Sequence, residues 1–260
     1  MKFKEYLLKK PELEKQKKKK AEEKKMPIMF AGIRSGQKPK DLAEAAASAK
    51  KIHGDLSRKG VKDLHSELAS HYQFSLPHGK SIHEYTWGSK DLNHHLYEAE
   101  KKSLGMKHDT EAIKLPEVHK ERLNHIKDAL ASNTTPKELH VFTGVASDPR
   151  KYFDDGSHHT TVRMPAFTST SLKRDIAENF THNTGKKPGK YQHHVLRIRV
   201  PAGAHAAYVE HHSHHPGEHE VLLHPGAHIK INHQPYHKEW NAFSETHYYD
   251  AELVHDGVNK

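Results

Sequence analysis

Two glutamates in the C-terminal third of the chain, Glu218 and Glu220, have the residue type and spacing that could do chemistry. Gly and Pro pairs on both sides of this run predict a loop, a strand, a turn and a second strand. If residues 218–223 are extended, both carboxylates lie on one face, because side chains two apart in a strand point the same way. Like charges on one face repel unless a ligand or a cation lies between them. The pattern therefore indicates a binding or catalytic site.

Two other interpretations compete for this stretch. The run from His219 to His224 is similar to the zinc-protease pattern HExxH, but it contains one residue too many. The Pro225-Gly226 pair also excludes the helix that would bring both histidines to one side. We therefore expect no metal site here. A surface hairpin with two solvated glutamates is the remaining alternative.

Histidine is unusually frequent, with 28 residues, several of them in adjacent pairs. Metal binding would be one explanation. The pairs are scattered through the whole chain, however, and adjacent residues on a strand point in opposite directions. We therefore interpret the excess as compositional bias and predict no metal.

The composition excludes several classes of protein. A chain of 260 residues can form one ordinary domain and an extension, with enough length for a real core. It contains no cysteine, so disulfides and thiolate metal sites are unavailable. Because no apolar run approaches the length of a membrane span, we expect a soluble protein with no membrane partner.

The N-terminus carries much of the net charge of +9, since residues 1–25 contain eleven lysines and five glutamates. Such a segment suggests an acidic partner, either nucleic acid or an acidic protein surface. A solvated helix that keeps the protein soluble is an equal alternative. We predict that residues 1–38 form a basic, mobile extension.

The elements that must position the acids divide the remaining chain into two parts. Apolar residues at helical spacing predict helices over residues 39–135, beginning at Asp41. A later helix is predicted to be capped by Ser89, and another to open at Pro116. The helical stripes contain Leu42, Ala45, Ile52, Leu56, Val61, Leu64, Leu68, Tyr72, Leu92, Leu96, Leu123, Ile126 and Leu130.

Residues 136–260 have the character of a sheet. A strand over residues 139–142 is expected to end at Gly144, and a second strand over residues 164–171 to run into a helix capped by Ser171. Residues 194–200 alternate apolar and polar, as in a half-buried strand. Helices followed by short strands predict an α+β domain over residues 39–260 with a mostly antiparallel sheet.

Several motifs occur in a meaningful order. The strand that ends at Gly144 is followed by aromatic-Thr-Ser-Thr-Ser at residues 167–171, a helix, and then GEHEVLLHPG at residues 217–226. Residues 82–96 precede them with a Tyr-Thr pair and an asparagine. Together they resemble the R-S-E class of mono-ADP-ribosyltransferases, which includes clostridial binary toxins and phage enzymes. The resemblance implies an ADP-ribosyltransferase-like fold, with a helical part packed on two short sheets around an NAD cleft.

The same resemblance implies roles for the acids. Glu220 matches the catalytic glutamate, which hydrogen-bonds the 2′-hydroxyl of the nicotinamide ribose. Ser169 matches the serine that holds this glutamate and the ribose in place. Glu218 matches the residue that engages an incoming guanidinium, which implies arginine as the acceptor. Residues 208–217 match the substrate-recognition loop.

NAD is thus the expected cosubstrate. The positions that match its binding residues are Thr143, Gly144, Phe167, Thr170, Ser171, Tyr85 and Asn93. One position departs from the family, which has arginine where this chain has Thr143. Arg150, Arg163, Arg197 or a histidine could supply the missing charge.

The resemblance also suggests partners. We expect a protein substrate with an accessible arginine, modified in the cytoplasm of a bacterial host cell and reached by delivery with a virion. Three alternatives stay open. The chain could be a catalytically silent NAD-fold module, a basic His-rich virion or nucleic-acid-binding protein, or an enzyme that uses an acceptor other than arginine.

Overall fold

The computed structural model describes residues 58–145, 148–149, 159–181, 191–232, 234–240 and 244–258. The predictions for residues 1–38 and for a helix beginning at Asp41 lie outside this part of the chain, as does Arg150. Four helices come first in it: α1 (Arg58–His71), α2 (Leu76–Trp87), α3 (Lys90–Ser103) and α4 (Glu117–Ala131).

The apolar stripes of these helices are buried, as the sequence predicts. Leu64 and Leu68 of α1 pack into the core, and so do Leu123, Ile126 and Leu130 of α4. Helical spacing places such residues on one side of the helix, so burying that side removes a continuous apolar surface from water. Among the described residues, no helix is both long and apolar enough to cross a membrane.

Ser89 precedes a helix as predicted, but its side chain does not cap that helix. Helix α3 does begin directly after Ser89, but this side chain makes no capping hydrogen bond. Its backbone is already helical, with φ −72° and ψ −15°. A capping side chain reaches back to the first turn from an extended backbone, so this geometry leaves the first amides of α3 without that cap.

In the described residues of the second half there are nine strands and one short α-helix. The elements are β1 (Leu139–Val145), β2 (His159–Met164), β3 (Thr168–Ser171), α5 (Arg174–Asn179), β4 (Tyr191–Val200), β5 (Ala206–Tyr208), β6 (Glu220–Leu223), β7 (Ala227–Asn232), β8 (His237–Trp240) and β9 (Ser244–His255). A 3₁₀ turn (Glu210–His212) follows β5.

These strands form one hydrogen-bonded path in the order β2-β7-β9-β4-β1-β3-β6-β5, and β8, off this path, pairs with the N-terminal part of β9. Between described strands only β4 and β9 pair in parallel, which confirms the mostly antiparallel sheet. The expected two sheets are joined rather than separate. A single register pair, Phe142 with Ser171, connects the larger half to the half formed by β3, β6 and β5.

The strand predicted over residues 164–171 is two strands. Met164 pairs with Ala227 of β7, whereas Thr168 pairs with Leu223 of β6. Pro165 lies at the break, where its missing N–H cannot contribute to a ladder. The chain therefore leaves one half of the sheet at β2 and enters the other at β3.

Ser171 is likewise not the cap of the following helix. It is the last residue of β3, and α5 begins only at Arg174. Its hydroxyl accepts the N–H of Lys173 at 2.9 Å and donates to the backbone carbonyl of Glu218 at 2.5 Å. Ser171 thereby ties the start of α5 to the segment that precedes β6.

The sheet is covered on both faces. The main core lies between the four N-terminal helices and the face that presents Leu196, Ile198 and Val200 of β4, as the alternation predicts. A smaller cluster on the other face joins Val195 to residues under α5. Its other members are Phe142, Ala177, Tyr248 and the partly buried Tyr236. The middle of the sheet is therefore a rigid platform for the elements at its edge.

Candidate active site

A cleft beside strands β3 and β6 is lined by Ser169, Glu218 and Glu220. These three residues are shared by two adjoining cavities. The larger, of about 370 Å³, is open and extends to the junction of α2 and α3. The smaller, of about 10 Å³, is a narrow slot. Its other lining residues are Phe142, Thr143, Gly144, Thr170, Ser171, Ile176, Ala177 and Phe180.

A turn, and not the alternation of side chains along one strand, brings Glu218 and Glu220 to the same cleft. Strand β6 begins only at Glu220, so the prediction of an extended run over residues 218–223 is wrong at its start. Gly217 has φ +101° and His219 has φ +49°. Left-handed backbone on both sides of Glu218 reverses the chain locally and still presents both carboxylates to one cleft.

A relay of hydrogen bonds ends at the deeply buried Glu220, which is 3% exposed. The Asn93 amide donates to the hydroxyl oxygen of Tyr85 at 3.1 Å. Tyr85 is hydrogen-bonded to Ser169, which is in turn hydrogen-bonded to the carboxylate of Glu220. A hydroxyl can accept one bond and donate another, so Ser169 can accept from Tyr85 and donate to Glu220. The relay fixes the orientation of the catalytic candidate.

Both acids have raised pKa values. Burial raises the pKa of Glu220 to about 7, with the hydrogen bond from Ser169 opposing and the charges of Glu218 and Glu210 adding to the effect. Burial, followed by the charge of Glu210, raises the pKa of Glu218 to about 7. A cation in the cleft would favour both ionised forms, so the arrangement is suited to stabilise positive charge at neutral pH.

A third glutamate, Glu210, was missed by the sequence reasoning. It is 7% exposed, and its two carboxylate oxygens accept the N–H groups of Gly217 at 2.5 Å and His219 at 2.6 Å. In the sequence it is one more polar residue in a histidine-rich loop. Its contacts depend on how that loop closes, and no local pattern signals this.

Thr143 and Gly144, at the positions of the family's first motif, make contacts that hold neighbouring elements of the fold together. Thr143 lines the slot, but its hydroxyl donates to the backbone carbonyl of Ser169 at 3.0 Å. A Cβ added at Gly144 would lie 2.7 Å from the carbonyl oxygen of Ala177 and 2.8 Å from the amide of Thr181. Glycine at this position therefore lets α5 pack directly on β1.

The remaining predicted NAD-binding residues are placed differently from one another. Thr170 and Ser171 line the slot, yet the Thr170 hydroxyl donates to the backbone of Val221 at 2.6 Å. Phe167 lines neither cavity. It is buried behind the cleft with its ring edge-on to Tyr85, at 5.2 Å between centroids. These side chains support β3 and the relay.

The arginines proposed to supply the missing charge point elsewhere. Arg163 pairs with Glu100, and Arg197 pairs with Asp250 at 2.5 Å. Neither lines the cleft. His215 lines the open cavity, but burial and the neighbouring His214 lower its pKa and so favour the neutral imidazole. Lys90, the first residue of α3, lines the same cavity and is a better source of the missing charge.

The predicted recognition loop is anchored at both ends. Its first residue, Tyr208, is buried in β5, and its hydroxyl hydrogen-bonds the imidazoles of His65 at 2.5 Å and His219 at 2.8 Å. Burial, with smaller effects from Lys173 and His65, lowers the pKa of His219 to about 3, so this imidazole is neutral. Within the described residues, no group of three or more acidic or histidine side chains is arranged to hold a metal ion.

Comparisons with known structures identify the fold. Plx2a, an ADP-ribosyltransferase toxin from Paenibacillus larvae, superposes with a TM-score of 0.54 at 16% identity, over 74% of this chain and 96% of that one. The C3 exoenzyme of Clostridium limosum gives 0.52 at 17% identity, over 75% and 93%. The Vis toxin of Vibrio splendidus, in complex with agmatine, gives 0.52 at 19% identity, over 86% and 91%. At such low identities, the likeness shows a shared fold.

No curated protein sequence shows significant similarity to the chain. The family model for ADP-ribosyltransferase exoenzymes, in contrast, matches residues 57–248. This range contains the four N-terminal helices, both acids and Ser169. The match covers well over half of the sequence, and the chain therefore belongs to the ADP-ribosyltransferase exoenzyme family, whose members are toxin-like, NAD-dependent mono-ADP-ribosyltransferases.

Proposed function

We propose that this protein transfers ADP-ribose from NAD to arginine side chains of a target protein. The observation that carries the proposal is that two carboxylates, the buried one of Glu220 and the half-buried one of Glu218, share one cleft with Ser169. Buried acids with pKa values near neutrality are typical of sites that bind or generate positive charge. Family membership makes NAD the source of the transferred group.

The cleft has features that suit NAD. Its open cavity of about 370 Å³ lies within the usual size range of small-molecule sites. Ser89 and Lys90 at the start of α3 line this cavity, and a helix N-terminus beside a lysine favours a negatively charged group such as a diphosphate. Bound NAD supplies the ADP-ribosyl group and a nicotinamide leaving group.

Glu220 acts on the charge that develops at the ribose. Breaking the bond between nicotinamide and ribose leaves positive charge on the sugar, as in glycoside hydrolysis. A fixed carboxylate stabilises this charge most strongly in the transition state, which accelerates the step. In our proposal Ser169 locks the Glu220 rotamer, and Glu220 accepts a hydrogen bond from the 2′-hydroxyl of the ribose.

Glu218 receives the acceptor. A carboxylate can hold a guanidinium by two parallel hydrogen bonds and orient one nitrogen for attack on the ribose. The attacking nitrogen loses a proton as its bond to the sugar forms, and a carboxyl group with a pKa of about 7 is suited to accept it. The related Vis enzyme, crystallised with the guanidinium compound agmatine, supports this choice of acceptor.

The biological setting is part of the proposal. The resemblance to phage enzymes favours a bacterial host protein as the target, modified in the host cytoplasm after delivery with a virion. We assign the transferase domain to residues 39–260 and a role in binding an acidic partner to residues 1–38. Both assignments follow from sequence pattern and charge.

A silent NAD-fold module is the second candidate. The family arginine is replaced by Thr143, whose hydroxyl is already used within the framework. Weak or absent NAD binding would follow if no other cation replaces it. Calorimetric titration with NAD separates the two candidates, because the silent module should give neither heat nor a thermal shift.

Incubation with labelled NAD and excess agmatine tests the proposal. The wild type should form ADP-ribosyl-agmatine, detectable by mass spectrometry. Glu218→Gln should lose this product but still release nicotinamide by hydrolysis. Glu252→Gln, which removes an acid paired with Arg199 away from the cleft, is the matched control and should behave like the wild type. Unchanged agmatine transfer in Glu218→Gln would refute arginine specificity.

A further inference from the structure

Glu210 holds the turn that carries the two acids. The amides that its carboxylate accepts, those of Gly217 and His219, flank Glu218 in the chain. One buried side chain thus fixes the backbone on both sides of the acceptor-binding candidate. The carbonyls of the same segment are held by other groups, since Glu218 accepts from the Ser171 hydroxyl.

The turn needs such support. A residue with a Cβ, such as His219 at φ +49°, rarely adopts left-handed backbone unless its surroundings hold it there. Strand pairing cannot do this, because β6 begins only at Glu220. The hydrogen bonds to Glu210, together with one from the Leu172 amide to the His219 carbonyl at 3.1 Å, take the place of a ladder.

The charge of Glu210 acts on the groups around it. Glu218 and Glu220 are both harder to ionise because of it, and so is Tyr208. Lys173, whose ammonium donates to the Gly217 carbonyl at 3.3 Å, is the cation that faces it. The Glu210 carboxylate with the two amides that it holds, those of Gly217 and His219, forms what we call the clamp. This clamp is therefore also a third negative charge beside the acceptor site.

We infer that Glu210 is a positioning residue for the transfer reaction. It sets the direction of Glu218 relative to Glu220, and its charge sets the pH range in which both act. This inference rests on the proposed function, because it assigns Glu210 to the same cleft.

Two substitutions separate the clamp from the charge. Glu210→Gln removes the charge and can accept only one of the two amides. Its kcat for agmatine should fall about tenfold or more, since small displacements of catalytic groups have large effects on rate. The acidic limb of its pH profile should move to lower pH, because Glu218 and Glu220 lose a neighbouring negative charge. Glu210→Asp keeps the charge, but its shorter side chain cannot reach both amides. Its kcat should therefore fall, while the acidic limb of its pH profile should stay in place.

Glu98→Gln is the matched control. Glu98, on α3, is a second buried glutamate, and its carboxylate accepts the backbone N–H of Asp109 at 2.6 Å. This variant should lose stability without any shift of the pH profile. The inference is overturned if both Glu210 variants turn over agmatine within twofold of the wild type, or if the limb of Glu210→Gln stays in place.

Amide hydrogen exchange keeps the inference testable even without activity. In Glu210→Gln one of the two amides, that of Gly217 or that of His219, should exchange at least tenfold faster than in the wild type, because the glutamine side chain has only one acceptor oxygen, while that of Leu172 remains protected. If the wild type proves inactive and Glu210→Gln still loses amide protection, the role of Glu210 in holding the turn is upheld and the proposed transferase activity is refuted. Unchanged exchange at both amides would refute the clamp.

Discussion

Ser169 is the side chain that hydrogen-bonds Glu220 and connects it to the neighbouring Tyr85. It links Tyr85 to the carboxylate, and its hydrogen bond favours the ionised form of Glu220 against the effect of burial. The nearby charges of Glu218 and Glu210 act in the opposite direction. Ser169 therefore helps to determine the pH above which Glu220 carries the negative charge that the proposed mechanism requires.

Replacing this serine should shift the pH dependence upward. In Ser169→Ala the pKa of Glu220 rises, because the bond that favours its ionised form is lost. A larger fraction of Glu220 is then protonated at pH 7, so kcat/KM should fall roughly tenfold there and recover partly at higher pH. The pH profile of nicotinamide release measures this. Ser70→Ala, on the exposed side of α1, is the control, and an unmoved acidic limb in Ser169→Ala would contradict the relay.

Secondary structure shows which parts of the fold are readable from sequence. The periods of α4 and β4 are local, so Ile126 and Ile198 were correctly predicted to be buried. The break at Pro165 and the turn at His219 depend on which distant strands pair with each segment. A local pattern does not contain that choice, and both were predicted as continuous strands.

The packing of α5 on β1 makes Gly144 a structural requirement. Gly144→Ala would bring a methyl group within 3 Å of backbone atoms of Ala177, Phe180 and Thr181, so α5 must shift. Overpacking of this kind typically costs about 1–3 kcal/mol. Gly88→Ala meets nothing within 4 Å and should change stability by less than about 0.5 kcal/mol. Urea unfolding of the two variants compares them, and equal stabilities would contradict the close contact.

The molecule as a whole concentrates negative charge around the proposed active site. In a chain of net charge +9, three acids, Glu210, Glu218 and Glu220, gather around one cleft. The sequence identified the last two through their spacing and the resemblance. Glu210 and Lys90 were not predicted, because their place at the cleft follows from loop closure and from the approach of α3. The Glu210 contacts span only seven and nine residues of sequence, whereas Lys90 reaches the cleft from more than one hundred residues before Glu218.

Release of nicotinamide from NAD by the 260-residue chain tests the role of Glu220 most directly. With agmatine present, the wild type and Glu252→Gln should release nicotinamide at equal rates, and Glu220→Gln should do so at least ~100-fold more slowly, because the developing charge on the ribose loses its partner. Thermal unfolding must show that Glu220→Gln is folded. A folded Glu220→Gln that cleaves NAD at the wild-type rate would contradict the assignment of this cleft as the catalytic site.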